Sequence, residues 1–298
     1  MLQKSQFFSL VRFTPVQLLR IHVASFIGSV WKCPPTIDRF VFFIGHQRSG
    51  TSLVGSLIDA HPQAMIAHEE DAIRFHQALL TRRQLFYVLI RNSKWKAATG
   101  RSEVGIHGGH TYAIDTKYQG SFDLLKVLGD KYAPSTARLF MNENLLESFC
   151  KKIVVPITVF HVIRNPLDTI GSNYRHGLKG RYRHRQSADV FDQVLQGYDQ
   201  RQSELEWCYR VLPKYDIRIE EIYLEDLITN TIEYIGRMFS SLCLGTNSQT
   251  ITELSRIVAS APTLSRVDLP HPISESEKKI AMLTKSQRWL SRYWVDAP

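Results

Sequence analysis

The sequence predicts an α/β fold, a P-loop-like three-layer architecture with a central, mainly parallel sheet flanked by helices. Three observations predict it. Continuous apolar runs at Phe40 to Ile44 and Ile157 to Ile163 read as strands buried on both faces. Stretches with helical spacing follow each of them. A Gly-containing turn joins the first strand to its helix.

Taken in order, Val16 to Trp31 is fairly apolar, but Arg20 and His22 interrupt it and it falls short of the ~20 residues a spanning helix needs. Leu18, Leu19, Ile21, Phe26 and Ile27 make it an amphipathic helix, packed on the domain or lying against a membrane surface. Arg39 to Ile44 is the first strand, Ser52 to Ala60 a helix and Ala64 to Ala67 a second strand. Asp71 to Leu80 and Arg83 to Trp95 read as helices, and Gly100 to Gly120 as a long irregular loop. Leu124 to Leu128 fits a strand ending at Gly129 or a helical run from Phe122. Thr136 to Phe149 is a helix, and Pro166 opens another at its N1 position after the Ile157 to Ile163 strand.

A long helical pattern at Ala188 to Leu212 leads to a strand at Ile217 to Tyr223 and a helix from Glu225 to about Leu242. Pro262 to Pro272 is a loop and Glu275 to Trp294 a terminal helix. No stretch is rich enough in Pro, Gly or Ser to act as a linker. Residues 36–298 are therefore expected to form one domain, with 1–35 a helical segment packed on or near it.

Composition narrows the partners. The formal net charge of +9 favours an anionic ligand, an acidic substrate or a negatively charged surface. Cys33, Cys150, Cys208 and Cys243 lie far apart with no metal-ligand spacing, which argues against structural zinc and a disulfide framework. Scattered thiols fit a cytosolic setting, with membrane-surface association through residues 16–31 as a further option.

Gly45-His46-Gln47-Arg48-Ser49-Gly50-Thr51-Ser52 lies between a strand and a helix. Such a turn aims successive backbone N–H groups at one anion, and the helix N-terminus adds positive potential. Thr51 and Ser52 add hydroxyls. The spacing is that of a Walker loop, but Thr51 stands where the Walker lysine is required. The later strand ends in Ile163-Arg164 with no acid for Mg²⁺. A donor whose second group is sulfate carries less charge and needs no metal, and Arg48 can serve in the loop.

A second constellation follows that strand. Arg164 leaves its end and Ser172 lies eight residues on, two helical turns away. A guanidinium fork and a hydroxyl can together hold a phosphate monoester.

Phe43 to Ser52 resembles the 5′-phosphosulfate loop of the sulfotransferase family that uses 3′-phosphoadenosine 5′-phosphosulfate (PAPS), in the Arg-Ser-Gly-Thr form of its carbohydrate and tyrosylprotein branches. Leu57 to Pro62 resembles the same branches. The stretch from His161 to Ser172 is similar to the family's 3′-phosphate motif, with Asn165 where Asp is commoner. The resemblance implies transfer of a sulfuryl group from PAPS to a hydroxyl acceptor, leaving PAP and requiring no metal. It implies that Gly45, Gln47, Arg48, Ser49, Gly50, Thr51, Ser52, Arg164 and Ser172 hold the donor. By spacing, Glu69 resembles the base of the tyrosylprotein branch, with Glu70 and His68 as neighbours able to take the role. Lys131 resembles the lysine that supports the bridging oxygen, and Arg48 is a third catalytic candidate, as the loop's electrostatic residue. Tyr223 and Arg266 resemble later nucleotide contacts.

Each of these residues also has a plainer reading. Glu69 and Glu70 would form the acidic first turn of a helix, Lys131 a surface lysine, and Tyr223 a core aromatic. Arg175, Lys179, Arg181, Arg183 and Arg185 make a basic run with Tyr182 among them. It reads as a loop over the nucleotide or an acidic acceptor, or as a solvated loop. One aromatic gives a nucleic-acid partner little support. Two other classes compete: a P-loop kinase or NTPase, and a non-catalytic anion- or nucleic-acid-binding module. The acceptor (a glycan, a lipid-linked sugar, a small alcohol or a tyrosine) and the oligomeric state are left open by the sequence.

Overall fold

The computed structural model describes residues 14–32, 36–98, 118–179, 184, 186–245, 248–258, 269–270 and 273–294. Its centre is a five-stranded sheet of β1 (Arg39–Gly45), β2 (Ala64–His68), β3 (Val127–Lys131), β4 (Ile157–Ile163) and β5 (Arg218–Tyr223). The order is β2-β3-β1-β4-β5 and every pairing is parallel. β1 and β4 lie inside the sheet and are covered on both faces, which explains why they read as unbroken apolar runs. Phe40, Phe42 and Ile44 enter one core layer, while Val41 and Phe43 enter the other, as the two-residue strand period requires.

The helices, in chain order, begin with α1 (Pro15–Lys32), α2 (Thr51–Asp59), α3 (Ala72–Gln77) and α4 (Arg82–Ala98). Next come α5 (Ala133–Phe140), α6 (Glu143–Ile153), α7 (Pro166–Lys179) and α8 (Ser187–Val211). The last four are α9 (Leu224–Thr229), α10 (Thr231–Ser241), α11 (Ser248–Val258) and α12 (Ile273–Thr284). Val54 and Leu57 of α2, with Phe239 and Leu254 from α10 and α11, fill the layer on one face. Leu85 and Leu89 of α4, Phe149 of α6, Leu205 of α8 and Ile280 of α12 fill the other. The three-layer α/β expectation therefore holds, and the sheet is wholly parallel.

Several boundaries differ from the sequence reading. The Thr136 to Phe149 helix is two helices, because the Asn142 side chain accepts from the Leu145 N–H at 3.1 Å and starts a new one. The Glu225 to Leu242 helix breaks at Asn230, which has left the helical region at φ −117° and ψ 48°. The strand expected from Leu124 starts at Val127 and runs through Gly129 to Lys131, placing Leu124 in the preceding loop, 60% exposed. The terminal helix stops at Thr284 and gives way to turns. α11 was not anticipated.

Most of the Gly100 to Gly120 and Pro262 to Pro272 loops lies outside the described residues. So do Arg181, Tyr182, Arg183, Arg185, Arg266 and Cys33.

α1 lies on α4. His22 Nε2 pairs with the Ala78 carbonyl at 2.8 Å, Gln84 Nε2 donates to the His22 carbonyl and to Ser25 Oγ, each at 3.2 Å, and Gly28 lies against the Tyr87 ring. Of the five residues that make α1 amphipathic, Ile21 joins the core layer but Leu19, Phe26 and Ile27 are exposed.

Candidate active site

The carboxyl ends of β1, β3 and β4 meet around the phosphate loop, the place where open parallel sheets bind ligands. Gly45 ends β1, and the turn that follows is held from three sides. The His46 ring stacks on Tyr198 of α8, with centroids 3.6 Å apart and planes within 5°. Burial lowers the His46 pKa well below the usual imidazole value, so this anchor is neutral. Asn173 Nδ2 donates to the Gln47 carbonyl at 3.0 Å, and Arg164 Nη1 donates to the Arg48 carbonyl at 3.0 Å.

The loop's inner face is built for an anion. Gly50 takes φ +98° at the start of α2, a region that L side chains rarely adopt, and a Cβ there would meet Leu224 Cδ1 at 2.8 Å. The N-cap of α2 is Gly50, which has no side chain to cap it, so among the described residues the first N–H groups of α2 stay open towards the loop. Ser49 Oγ is buried with no hydrogen-bond partner among the described residues. A buried hydroxyl without a partner is costly, and an oxyanion at this turn would satisfy it.

Across the loop, Lys131 ends β3. Its side chain is only 2% exposed, and Nζ donates to Glu69 Oε1 at 2.7 Å and to Ser52 Oγ at 2.9 Å. Gly55, one turn into α2, makes room for the lysine stem: a Cβ there would lie 3.1 Å from Lys131 Cγ. Thr51, where a Walker loop has its lysine, opens α2, and a lysine amine reaches the neighbouring Ser52 from β3.

Glu69 follows β2 at φ +56°, and its N–H donates to the Lys131 carbonyl at 2.9 Å. Asp130 fixes the same turn from below. Its two oxygens accept from the Glu70 N–H at 3.1 Å and the Ala72 N–H at 2.7 Å. Asp130 is fully buried, and burial outweighs these donors to push its pKa up to about 7. The sequence reading looked for a Walker-type acid after β4. Asp130 is an acid at the end of β3, but both its oxygens are turned to backbone N–H groups.

The three candidate bases separate. Glu69 faces Lys131, whereas Glu70 is bound by Lys96 at 2.7 Å and by Asn92 Nδ2 at 2.6 Å. His68 is buried at the end of β2, and its carbonyl accepts from Lys96.

Arg164 and Ser172 converge on the loop's other side. Arg48 Nε donates to Ser172 Oγ at 3.2 Å, so the Arg48 side chain lies with this pair rather than beside Glu69. Asn165 Oδ1 accepts from the Leu167 N–H at 2.9 Å and opens α7, the capping role an Asp would fill. The Asn165 N–H donates to Glu225 at 2.8 Å. Tyr223 is level with Ile163 in the sheet, but its hydroxyl donates to Glu221 at 3.2 Å and Arg292 covers its ring. No described contact joins it to the loop.

Asn173, Gly55, Asp130 and Glu225 were missed from sequence. Only Asn173, beside Ser172, carried a local signal. The arrangement offers an anion cradle, a second cationic corner beside it, and a carboxylate held against a buried ammonium.

The model of the sulfotransferase family matches residues 41–246. No curated protein sequence matches the chain. Solved structures with a similar fold include sulfotransferase STF1 from Mycobacterium tuberculosis H37Rv, at 13% identity and TM-score 0.51, covering 89% of this chain and 82% of that one. Mouse sulfotransferase SULT7A1 complexed with PAP aligns at 12% identity and TM-score 0.50, over 92% of this chain and 94% of that one. STF9 from Mycobacterium avium aligns at 11% and 0.50, over 89% and 80%. At these identities the structures speak for the fold, and the family match, which spans both the Gly45 to Ser52 turn and the His161 to Ser172 stretch, shows that the chain belongs to the sulfotransferase family.

Proposed function

We propose that this chain transfers the sulfuryl group of PAPS to a hydroxyl acceptor, with Glu69 as the general base. The observation that carries the reading is the buried Lys131 ammonium, which touches Glu69 and Ser52 together. That contact puts a proton acceptor within a side chain's reach of the anion cradle. The structure of mouse SULT7A1 with PAP is consistent with this choice of donor.

The residues fit such a donor. The Gly45 to Ser52 turn, the open start of α2 and the unpartnered Ser49 hydroxyl suit the 5′ side, and Arg164, Arg48 and Ser172 suit a 3′-phosphate. PAPS supplies an activated sulfuryl group on a phosphate leaving group. Glu69 Oε takes the proton of the attacking hydroxyl, which raises its nucleophilicity. Lys131 Nζ, held by Ser52, stabilises charge that develops on the oxygen between sulfur and phosphorus. Arg48 and Arg164 hold the nucleotide in register and screen its charge. The acceptor is a hydroxyl of a glycan, a lipid-linked sugar, a small alcohol or a tyrosine.

The test is transfer of radiolabelled sulfate from PAPS across a library of hydroxyl acceptors. At least one acceptor should be labelled by the wild-type chain and not by Glu69→Gln. Labelling at equal rates by both would remove Glu69 as the base.

A further inference from the structure

Apart from Ile21, which packs on the core, and the half-buried Leu18, α1 turns its described large apolar side chains away from the domain. Val16, Leu19, Val23, Phe26, Ile27 and Val30 are each between 50% and 65% exposed. At about 100° per residue they fall within one arc of roughly 100°. The opposite face, with Ser25 and Ser29 buried and His22 and Gly28 against α4, makes the contacts with the domain. A helix packed only for stability would turn the other way, since apolar burial favours folding by about 25 cal/mol per Å². Leu79, next to the Ala78 carbonyl that His22 holds, adds another exposed side chain at 81%.

Charge identifies what covers this stripe. α1 and α4 together contain seven basic residues and no acidic one. Arg20, Arg83, Arg91 and Lys94 are exposed among them, and Trp95, 64% exposed, sits on α4. A second copy docked on this stripe would bring two basic surfaces together, which like-charge repulsion opposes. On the helical wheel Arg20 borders the stripe, and Arg83 Nη2 donates to the Ser29 carbonyl of α1. Arg91, Lys94 (its ammonium over the Phe122 ring) and Trp95 continue the α4 face that Gln84 and Tyr87 turn to α1. Apolar residues with cations and an aromatic beside them are the pattern of a helix lying in an anionic lipid interface. Among the described residues no helix is long and apolar enough to cross a membrane, so the contact is with one leaflet.

We propose that the α1 stripe, flanked by the basic residues of α1 and α4, docks this enzyme on the surface of an anionic membrane. The inference is independent of the transfer chemistry.

Sedimentation of the full chain with vesicles tests it. Vesicles of phosphatidylcholine with phosphatidylserine should retain the protein, and phosphatidylcholine alone should retain it at least about tenfold less. Phe26→Ser with Ile27→Ser should lower retention by about tenfold or more at unchanged melting temperature, because both side chains are exposed. Arg91→Glu with Lys94→Glu should lower it severalfold, and added salt should do the same. Absence of retention on the anionic vesicles would overturn the proposal, as would equal retention on both vesicle types or by the Phe26/Ile27 variant. A dimer that the Phe26/Ile27 variant loses, with no vesicle binding, would assign the stripe to a second copy instead.

Discussion

Lys131 Nζ lies 2.7 Å from Glu69 Oε1, and this ion pair spans two neighbouring strands at the mouth of the phosphate loop. The lysine is buried and the carboxylate is 35% exposed, so one partner is fixed by the core while the other is open to solvent. Removing either should therefore damage turnover more than donor binding. Lys131→Ala is expected to lower kcat by about 10²–10³-fold and Glu69→Gln by about 10²–10⁴-fold, with PAP affinity nearly retained. The double variant should lose far less than the product of the two, since the residues act as a unit. Steady-state kinetics with PAP titrations checks both statements.

Gly55 offers a separate handle on Lys131. A Cβ at Gly55 would press on Lys131 Cγ and Cβ, at 3.1 and 3.3 Å. Alanine also favours the helix by about 1 kcal/mol over glycine. Gly55→Ala should thus leave the melting temperature level or raised while kcat falls. A drop in stability with unchanged kcat would show that the lysine stem relaxes freely.

Asp130 should make stability depend on pH. Its folded pKa of about 7 is above the ordinary carboxyl value of an unfolded chain. The folded state therefore binds that proton more tightly. The carboxyl's contribution is fully present below about pH 4 and lost as pH rises through about 7. Asp130→Asn has no such titration, and its amide nitrogen would face one of the two N–H donors now bound by the carboxyl. Its deficit against wild type should be largest at low pH and shrink towards pH 7 in urea unfolding. Because Asp130 holds the Glu69 turn, kcat should fall as well.

The proposed role of Arg164 is to hold the 3′-phosphate. Arg164→Ala should weaken PAP by about 10- to 100-fold, the worth of a charge-assisted contact, and barely affect an analogue that lacks the 3′-phosphate. Competition binding with both nucleotides measures the difference, and equal losses would reassign Arg164 to bracing the Arg48 carbonyl alone.

β1, β4 and the phosphate loop were legible because a strand covered on both faces must be apolar throughout, and because few sequences need glycine and hydroxyls in that order. Helix boundaries at Asn142 and Asn230 were not, since one capping residue changes little in the apolar spacing on either side. Asp130 escaped notice because its role comes from the Glu70 and Ala72 N–H groups, 60 and 58 residues away. Phe26 and Ile27 were visible as an apolar face, but sequence carries no sign of which way a helix turns when small residues make its contact with the domain. Glu69 and Lys131 entered through resemblance, and the ion pair between them gives that resemblance a geometry.

The loop and the Arg164 corner are proposed to bind together a nucleotide bearing a 3′-phosphate, without a metal. Thermal unfolding in the presence of a chelator tests it most directly. At a hundredfold excess over Kd, PAP should stabilise the chain by about 2.7 kcal/mol with no Mg²⁺ present. No shift at saturating PAP, or a shift only with ATP and Mg²⁺, would contradict the account.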